Sequence, residues 1–321
     1  MSDNGLVVVG IDGSKSALDA ARWAAAMATR FGGSLHLVLV MRAVDETLLA
    51  VSTAEQEDAG AYPRELGQAT LDRVADAVQV DFPRLPISRT LSHRPVEEAL
   101  NDLSRRARMV VLACAKVSPT GALVVGSNTL AVASHSACPV VAWRGDAVVR
   151  TSAPIAVGVD EEDTSHAALV AAFGLADRLR VPVTVVHAIP EQRPPGEISI
   201  PLLIDYKALE NLALQRLSRI VAPVSDWWPA VDVHCAVGTG PASRVILQHA
   251  VGAQLVVVGH RGRGNLASAL LGSTGLGLLH HSPAPVMMCP ASYEWGALPI
   301  AAHEPAVRTG AGERPGQVTA K

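Results

Sequence analysis

An apolar run, Leu255-Val-Val-Val258, passes directly into Gly259-His-Arg-Gly262 and, after nine intervening residues, into Gly272-Ser273-Thr274. Three glycines and two hydroxyls at that spacing suit the cradling of phosphate. Gly259 is read as standing just beyond a strand, where a turn leaves no room for a Cβ. Gly262 lets the backbone approach a ligand closely, and Gly272-Ser273-Thr274 reads as the opening of a helix. Unpaired N–H groups at the positive end of a helix dipole form an anion site, to which the hydroxyls of Ser273 and Thr274 add donors. The plainer reading is that these glycines only shape tight turns.

The elements that must position this loop occur twice. Leu6-Val-Val-Val-Gly-Ile-Asp12 recurs as Pro154-Ile-Ala-Val-Gly-Val-Asp160, each followed by an Ala-rich stretch of helical period. Leu35–Val40 and Val183–Ala188 read as second strands, with Asp12 falling on Asp160 and Val40 on Ala188 at a constant offset of 148. Pro95 and Pro241 each open a helix at its first position. Met109–Leu112 and Leu255–Val258 are fourth strands, and Pro139–Trp143 and Pro285–Cys289 close the two repeats. Strands alternating with helical segments imply βαβ units and right-handed crossovers. The expected fold class is therefore α/β: two tandem Rossmann-like domains, each a five-stranded parallel sheet flanked by helices. Domain 1 is expected over residues 1–147, domain 2 over 153–291, and a disordered tail rich in Gly, Pro and charge over 292–321.

Composition narrows the function. Hydrophobic residues make up 49% of the 321, which suits parallel strands buried on both faces. The net charge of −3 gives no footprint for nucleic acid. Arg105, Arg106 and Arg108 read as a helix C-terminus rather than a binding patch. No apolar run reaches the roughly 18 residues of a membrane span, and the start of the chain reads as a first strand, not a signal peptide. The four cysteines, none in a CxxC pair, read as small buried hydrophobes of a soluble cytoplasmic protein.

With its repeats and its Gly-x2-Gly-x9-Gly-Ser loop after a fourth strand, the chain resembles the universal stress protein family from about residue 6 to residue 290. That resemblance implies an adenine nucleotide alpha hydrolase-like fold and ATP as ligand. It implies that Gly259, Gly262, Gly272, Ser273 and Thr274 hold the phosphates, that Asp160 faces the nucleoside or metal side, and that the main chain near Ala188 lies against adenine. Asp12, Val40, Gly126 and Ser127 are the corresponding positions of the first repeat. The resemblance also implies a role in stress tolerance.

Several positions depart from the family pattern. Gly275 stands where a second hydroxyl is usual, and Asp160-Glu161-Glu162 replaces Asp-Gly-Ser. Those acids could repel phosphate, help to hold Mg²⁺, or simply be solvated. His260, Arg261 and Arg263 could offset phosphate charge or lie outside the pocket. In the first repeat Ala113-Cys-Ala-Lys116 takes the place of both early glycines, although Gly126-Ser127-Asn128-Thr129 survives, so nucleotide binding there is open.

The leading expectation is a regulatory ATP-binding protein acting on a protein partner, since no GxxxxGK[ST] loop or hydrolase triad stands in a convincing context. His187, His280 and His281 read as packing or surface residues, and Trp227-Trp228 as hydrophobic packing. Two alternatives stand beside it: a slow Mg²⁺-dependent ATPase switch and a nucleotide-independent scaffold. The final strands would be open sheet edges unless paired, so pairing of the two domains about a pseudo-two-fold axis is expected, with further homodimerisation open.

Overall fold

The computed structural model describes residues 5–41, 56–114, 126–145, 152–160, 165–190, 206–260 and 271–295. The first repeat runs β1 (Val7–Ile11), α1 (Lys15–Phe31), β2 (Leu35–Val40), α2 (Gln56–Asp81), β3 (Ile87–Ser92), α3 (Val96–Ser104), β4 (Met109–Ala113), α4 (Ser127–His135) and β5 (Val140–Trp143). The second runs β6 (Ile155–Gly158), α5 (His166–Leu179), β7 (Val183–Ile189), α6 (Tyr206–Ser225), β8 (Val233–Thr239), α7 (Ala242–Ala250), β9 (Leu255–His260), α8 (Gly272–His281) and β10 (Val286–Pro290). Pro95 and Pro241 stand at the N-caps, one residue earlier than the sequence reading put them.

The ten strands of the described residues join in one sheet, in the order β3-β2-β1-β4-β5-β10-β9-β6-β7-β8. Pairing within each repeat is parallel, and the single antiparallel junction sets Val286 opposite Ala142 and Met288 opposite Val140. The two strands read as open edges thus cover each other. Alternation along the strands explains their unbroken apolar runs. Val7, Val9 and Ile11 face a core shared with α1, α2, α5 and α6, while Leu6 and Val8 face a second core shared with α3, α4, α7 and α8. A strand buried on both faces has no polar side to show.

Local signals set the ends of α1. The Ser14 hydroxyl accepts the Ala17 N–H at 3.1 Å, and Gly32 closes the helix in the left-handed region.

The repeats also meet outside the sheet. The segment after β10, which the sequence reading assigns to the tail, is packed onto the first repeat as far as Trp295. Tyr293 donates its hydroxyl proton to the Arg108 carbonyl at 3.1 Å. Trp295 lies edge-on to Phe31, with the Arg108 guanidinium 5.0 Å from its ring centre. Opposite Trp295, a Cβ at Gly174 would lie 2.1 Å from the indole nitrogen, so only glycine leaves space for the ring. Arg108 is therefore a buried stacking partner beyond the end of α3 rather than part of a helix C-terminus. Residues 296–321, the linker residues 146–151, and Gly262, Lys116, Glu161, Glu162, Arg261 and Arg263 lie outside the described residues.

Candidate nucleotide site

Within each repeat the strand order reverses beside the first strand: β1 lies between β2 and β4, and β6 between β7 and β9. Crossovers leave β1 and β4 toward opposite faces of the sheet, which opens a crevice at their carboxyl ends. Ligands of open parallel sheets sit there. In the second repeat Gly158 pairs with Val186 of β7 and Val258 of β9. Asp160, Ala188 and Gly259 therefore converge on one edge of the sheet, although they are far apart in sequence.

The end of α8 completes that edge. Gly272 has a φ of +65° and stands exposed, and Ser273 is exposed beside it. The left-handed turn at Gly272 would strain any residue with a Cβ. It brings the chain into the helix with the Ser273 and Thr274 N–H groups in its first turn, where a helix has no carbonyl partners of its own to offer them. Gly259 differs from the sequence reading. It belongs to β9, paired with Cys289, and the strand continues through His260. It lies within the strand rather than in a turn after it.

His260 also departs from expectation. Val256, Val258 and His260 alternate onto the face that α8 covers, and His260 is only 3% exposed. Among the described residues neither ring nitrogen has a hydrogen-bond partner, and burial lowers its pKa from 6.5 to about 4. Near neutral pH it carries no charge to offset phosphate.

Asp160 is exposed and locally held: its N–H donates to the Ser165 hydroxyl at 2.8 Å, while that hydroxyl donates to its carboxylate. His187 Nδ1 lies 2.9 Å from the Val159 carbonyl, a contact between neighbouring strand ends.

The first repeat builds the same edge from different residues. Asp12 follows β1 and accepts the Ser14 N–H at 2.9 Å, Val40 ends β2, and Gly126 is the N-cap of α4, before Ser127. Gly126 has a φ of −62°, so this helix is entered without the left-handed turn at Gly272. Where the second repeat has His260 and Gly275, the first has Cys114 and Thr129. Burial raises the Cys114 pKa, opposed by the nearby Arg144 charge and by hydrogen bonds from Thr129 and Arg144.

The universal stress protein family matches residues 5–144 and again 152–290. The chain belongs to the universal stress protein family. Universal stress protein Rv2005c of Mycobacterium tuberculosis is 31% identical over 290 residues, covering 88% of this chain and 96% of the relative. Universal stress protein Rv2623 of the same organism is 31% identical over 293 residues, covering 88% and 95%. Among solved structures, a universal stress protein from Archaeoglobus fulgidus superposes with a TM-score of 0.66 at 17% identity, covering 91% of this chain and all of that one. That likeness is one of fold. Among the described residues no helix is long and apolar enough to cross a membrane.

Arg144 was not singled out by the sequence reading. It is the charged residue that follows the apolar strand Val140–Trp143, and such a residue signals either solvent or a specific buried partner.

Proposed function

We propose that this universal stress protein is an ATP-binding regulator of the stress response, acting in the cytoplasm on a protein partner. The observation that carries the reading is the coincidence of Gly-x2-Gly-x9-Gly-Ser with the β9–α8 connection, at the point where the strand order reverses. In this reading Gly259, Gly262, Gly272, Ser273 and Thr274 hold the phosphates by main-chain N–H groups and hydroxyls. Asp160 faces the nucleoside, or a Mg²⁺ ion bridging to phosphate, and the main chain at Ala188 lies along adenine. Exposure of Gly272 and Ser273 at the start of α8 supports an anion there, held by main-chain N–H groups and the Ser273 hydroxyl.

The first repeat is the weaker candidate. Asp12, Val40, Gly126 and Ser127 keep their places, but Ala113 stands where the second repeat has Gly259. The two domains are taken as residues 1–147 and 153–291. With β5 and β10 occupied by each other, any homodimer must use another face.

The test is to purify the protein without added nucleotide, denature it, and identify the released small molecule by mass spectrometry, with a Gly262→Glu variant alongside. ATP or ADP released by the parent and absent from the variant is the expected result. About one nucleotide per chain assigns the site to the second repeat alone, and about two assigns one to each. No release, together with no binding of added ATP, would overturn the reading in favour of a scaffold. ADP accumulating in the presence of Mg²⁺ would add slow turnover.

A further inference from the structure

Arg144 follows the first repeat's last strand, yet its side chain serves the second repeat. It is only 4% exposed, and its Nη1 donates to the Ser282 carbonyl at 2.7 Å and its Nη2 to the Leu279 carbonyl at 2.5 Å. These carbonyls belong to the last turn and the C-cap of α8. The final carbonyls of a helix have no intrahelical donors and carry the negative end of its dipole, so a guanidinium there both satisfies and neutralises them. The same guanidinium hydrogen-bonds the Cys114 thiol, where the first repeat's β4 runs out. Burial lowers the Arg144 pKa, but a guanidinium remains charged.

The arrangement is one-sided. As Met109 corresponds to Leu255, Arg144 corresponds to Pro290, which has no donor to return to α4. Both helices close with the same main-chain bond, Ser136 N–H to the Val132 carbonyl in α4 and Ser282 N–H to the Leu278 carbonyl in α8, and among the described residues α8 alone adds a guanidinium from the other repeat. Of the two helices that follow the fourth strands, the one held from across the sheet is therefore α8. It is also the one with the full glycine spacing and the left-handed turn at Gly272. About 15 Å separates its two ends. Beneath it, at the end of β9, His260 presents two buried ring nitrogens that have no hydrogen-bond partner among the described residues.

We propose that Arg144 is a positioning residue, contributed by the first repeat, for the phosphate groups bound at the N-terminus of α8 in the second. It touches no ligand. It fixes the tilt and register of α8 through two carbonyls, and it offsets the negative end of the helix that would otherwise oppose an anion at the positive end. The proposal rests on the nucleotide reading of the second repeat.

Calorimetric titrations of ATP and of adenosine into the parent, Arg144→Met, Arg144→Lys and the interface control Arg30→Ala test it. Arg144→Met is expected to weaken ATP about tenfold while adenosine changes less than about twofold, because only the phosphates meet α8. Arg144→Lys, reaching one carbonyl of the two, is expected to recover part of the loss, and Arg30→Ala to bind like the parent. Equal loss of ATP and adenosine would mean a merely structural role and overturn the proposal, as would unchanged ATP affinity. Should Arg144→Met fail to fold, Arg144→Lys decides, with an ATP-selective loss of about threefold supporting the proposal and parental affinity overturning it. A parent that binds no ATP refutes the nucleotide reading and this proposal together. A parent that binds ATP, with both Arg144 variants unaffected, refutes this proposal alone.

Discussion

Arg30 and Arg178 reach for each other's main chain: Arg30 Nη1 donates to the Arg178 carbonyl at 3.2 Å, and Arg178 Nη1 to the Arg30 carbonyl at 3.5 Å. The two are 148 positions apart, the offset that sets Asp12 on Asp160. A contact in which equivalent residues exchange equivalent bonds is the signature of a two-fold axis, here inside one chain. Each arginine lies in the last turn of its helix, α1 or α5, where a cation also favours the dipole.

These bonds are exposed, so each is expected to matter little alone. Arg30→Ala should lower the unfolding free energy by about 0.5–1 kcal/mol. Arg178→Ala should cost slightly more, since that guanidinium also lies 5.6 Å over the Phe31 ring. A double-mutant cycle by urea unfolding checks the pair, and strict additivity would mean that the reciprocal bonds are not coupled.

Trp295 should anchor the segment after β10. Trp295→Ala is expected to destabilise by about 3–5 kcal/mol, as for a large buried aromatic. Gly174→Ala should expel the same ring, because its Cβ would collide with the indole nitrogen. Either change is read by thermal unfolding. Gly174→Ala should also red-shift the tryptophan fluorescence, and an unshifted spectrum at parental stability would contradict the packing.

The buried His260 gives a pH dependence of definite sign. The unfolded chain takes up this proton near pH 6.5, the folded chain only near pH 4. Between those values the unfolded state holds more protons, so stability falls as the pH falls from 6.5 toward 4, by at most about 3 kcal/mol. His36, lowered by burial and then by the nearby Arg106 charge, acts in the same direction. Replacing His260 by Leu should flatten the fall in urea midpoint between pH 7 and pH 4.5, and an identical slope in the variant would refute the assignment.

Gly126 and Gly272 occupy equivalent positions but should not tolerate substitution equally. Gly272→Ala forces a Cβ into the left-handed region and is expected to cost about 1 kcal/mol. Gly126→Ala meets nothing within 4 Å among the described residues, at an ordinary φ. Its change should be near zero, since a stiffer unfolded chain offsets the lost preference of an N-cap for glycine. Chemical unfolding of the two variants checks the difference, and equal costs would mean that the two helix entries are alike.

The strands were legible because each lies buried on both faces and so writes its burial as an apolar run, as in Leu255–Val258. The place of Gly272-Ser273-Thr274 at a helix start was legible for a local reason too, since the glycine marks the turn that the hydroxyls follow. His260 was not, because a polar residue after such a run looks like the start of a loop unless the packing of a later helix over it is known. Arg144 and Trp295 lay beyond reach for the same kind of reason. Their partners are distant in sequence: Leu279 and Ser282 supply carbonyls to the one, while Phe31 and Arg108 supply a ring and a guanidinium, and Gly174 space, to the other. Gly259 was misplaced because β9 takes its last pairings from β10, with Gly259 opposite Cys289, 30 residues further along the chain.

The antiparallel seam between β5 and β10 makes this protein its own dimer, with consequences for how it responds to dilution. Two separate subunits joined by such a seam would fall apart as their concentration dropped, and their melting point would track the amount of protein present. Tethered in one chain, the halves meet at a fixed effective concentration. The seam stays closed however scarce the protein is in the cell, and its two sides are free to carry different residues, an arginine on one and a proline on the other.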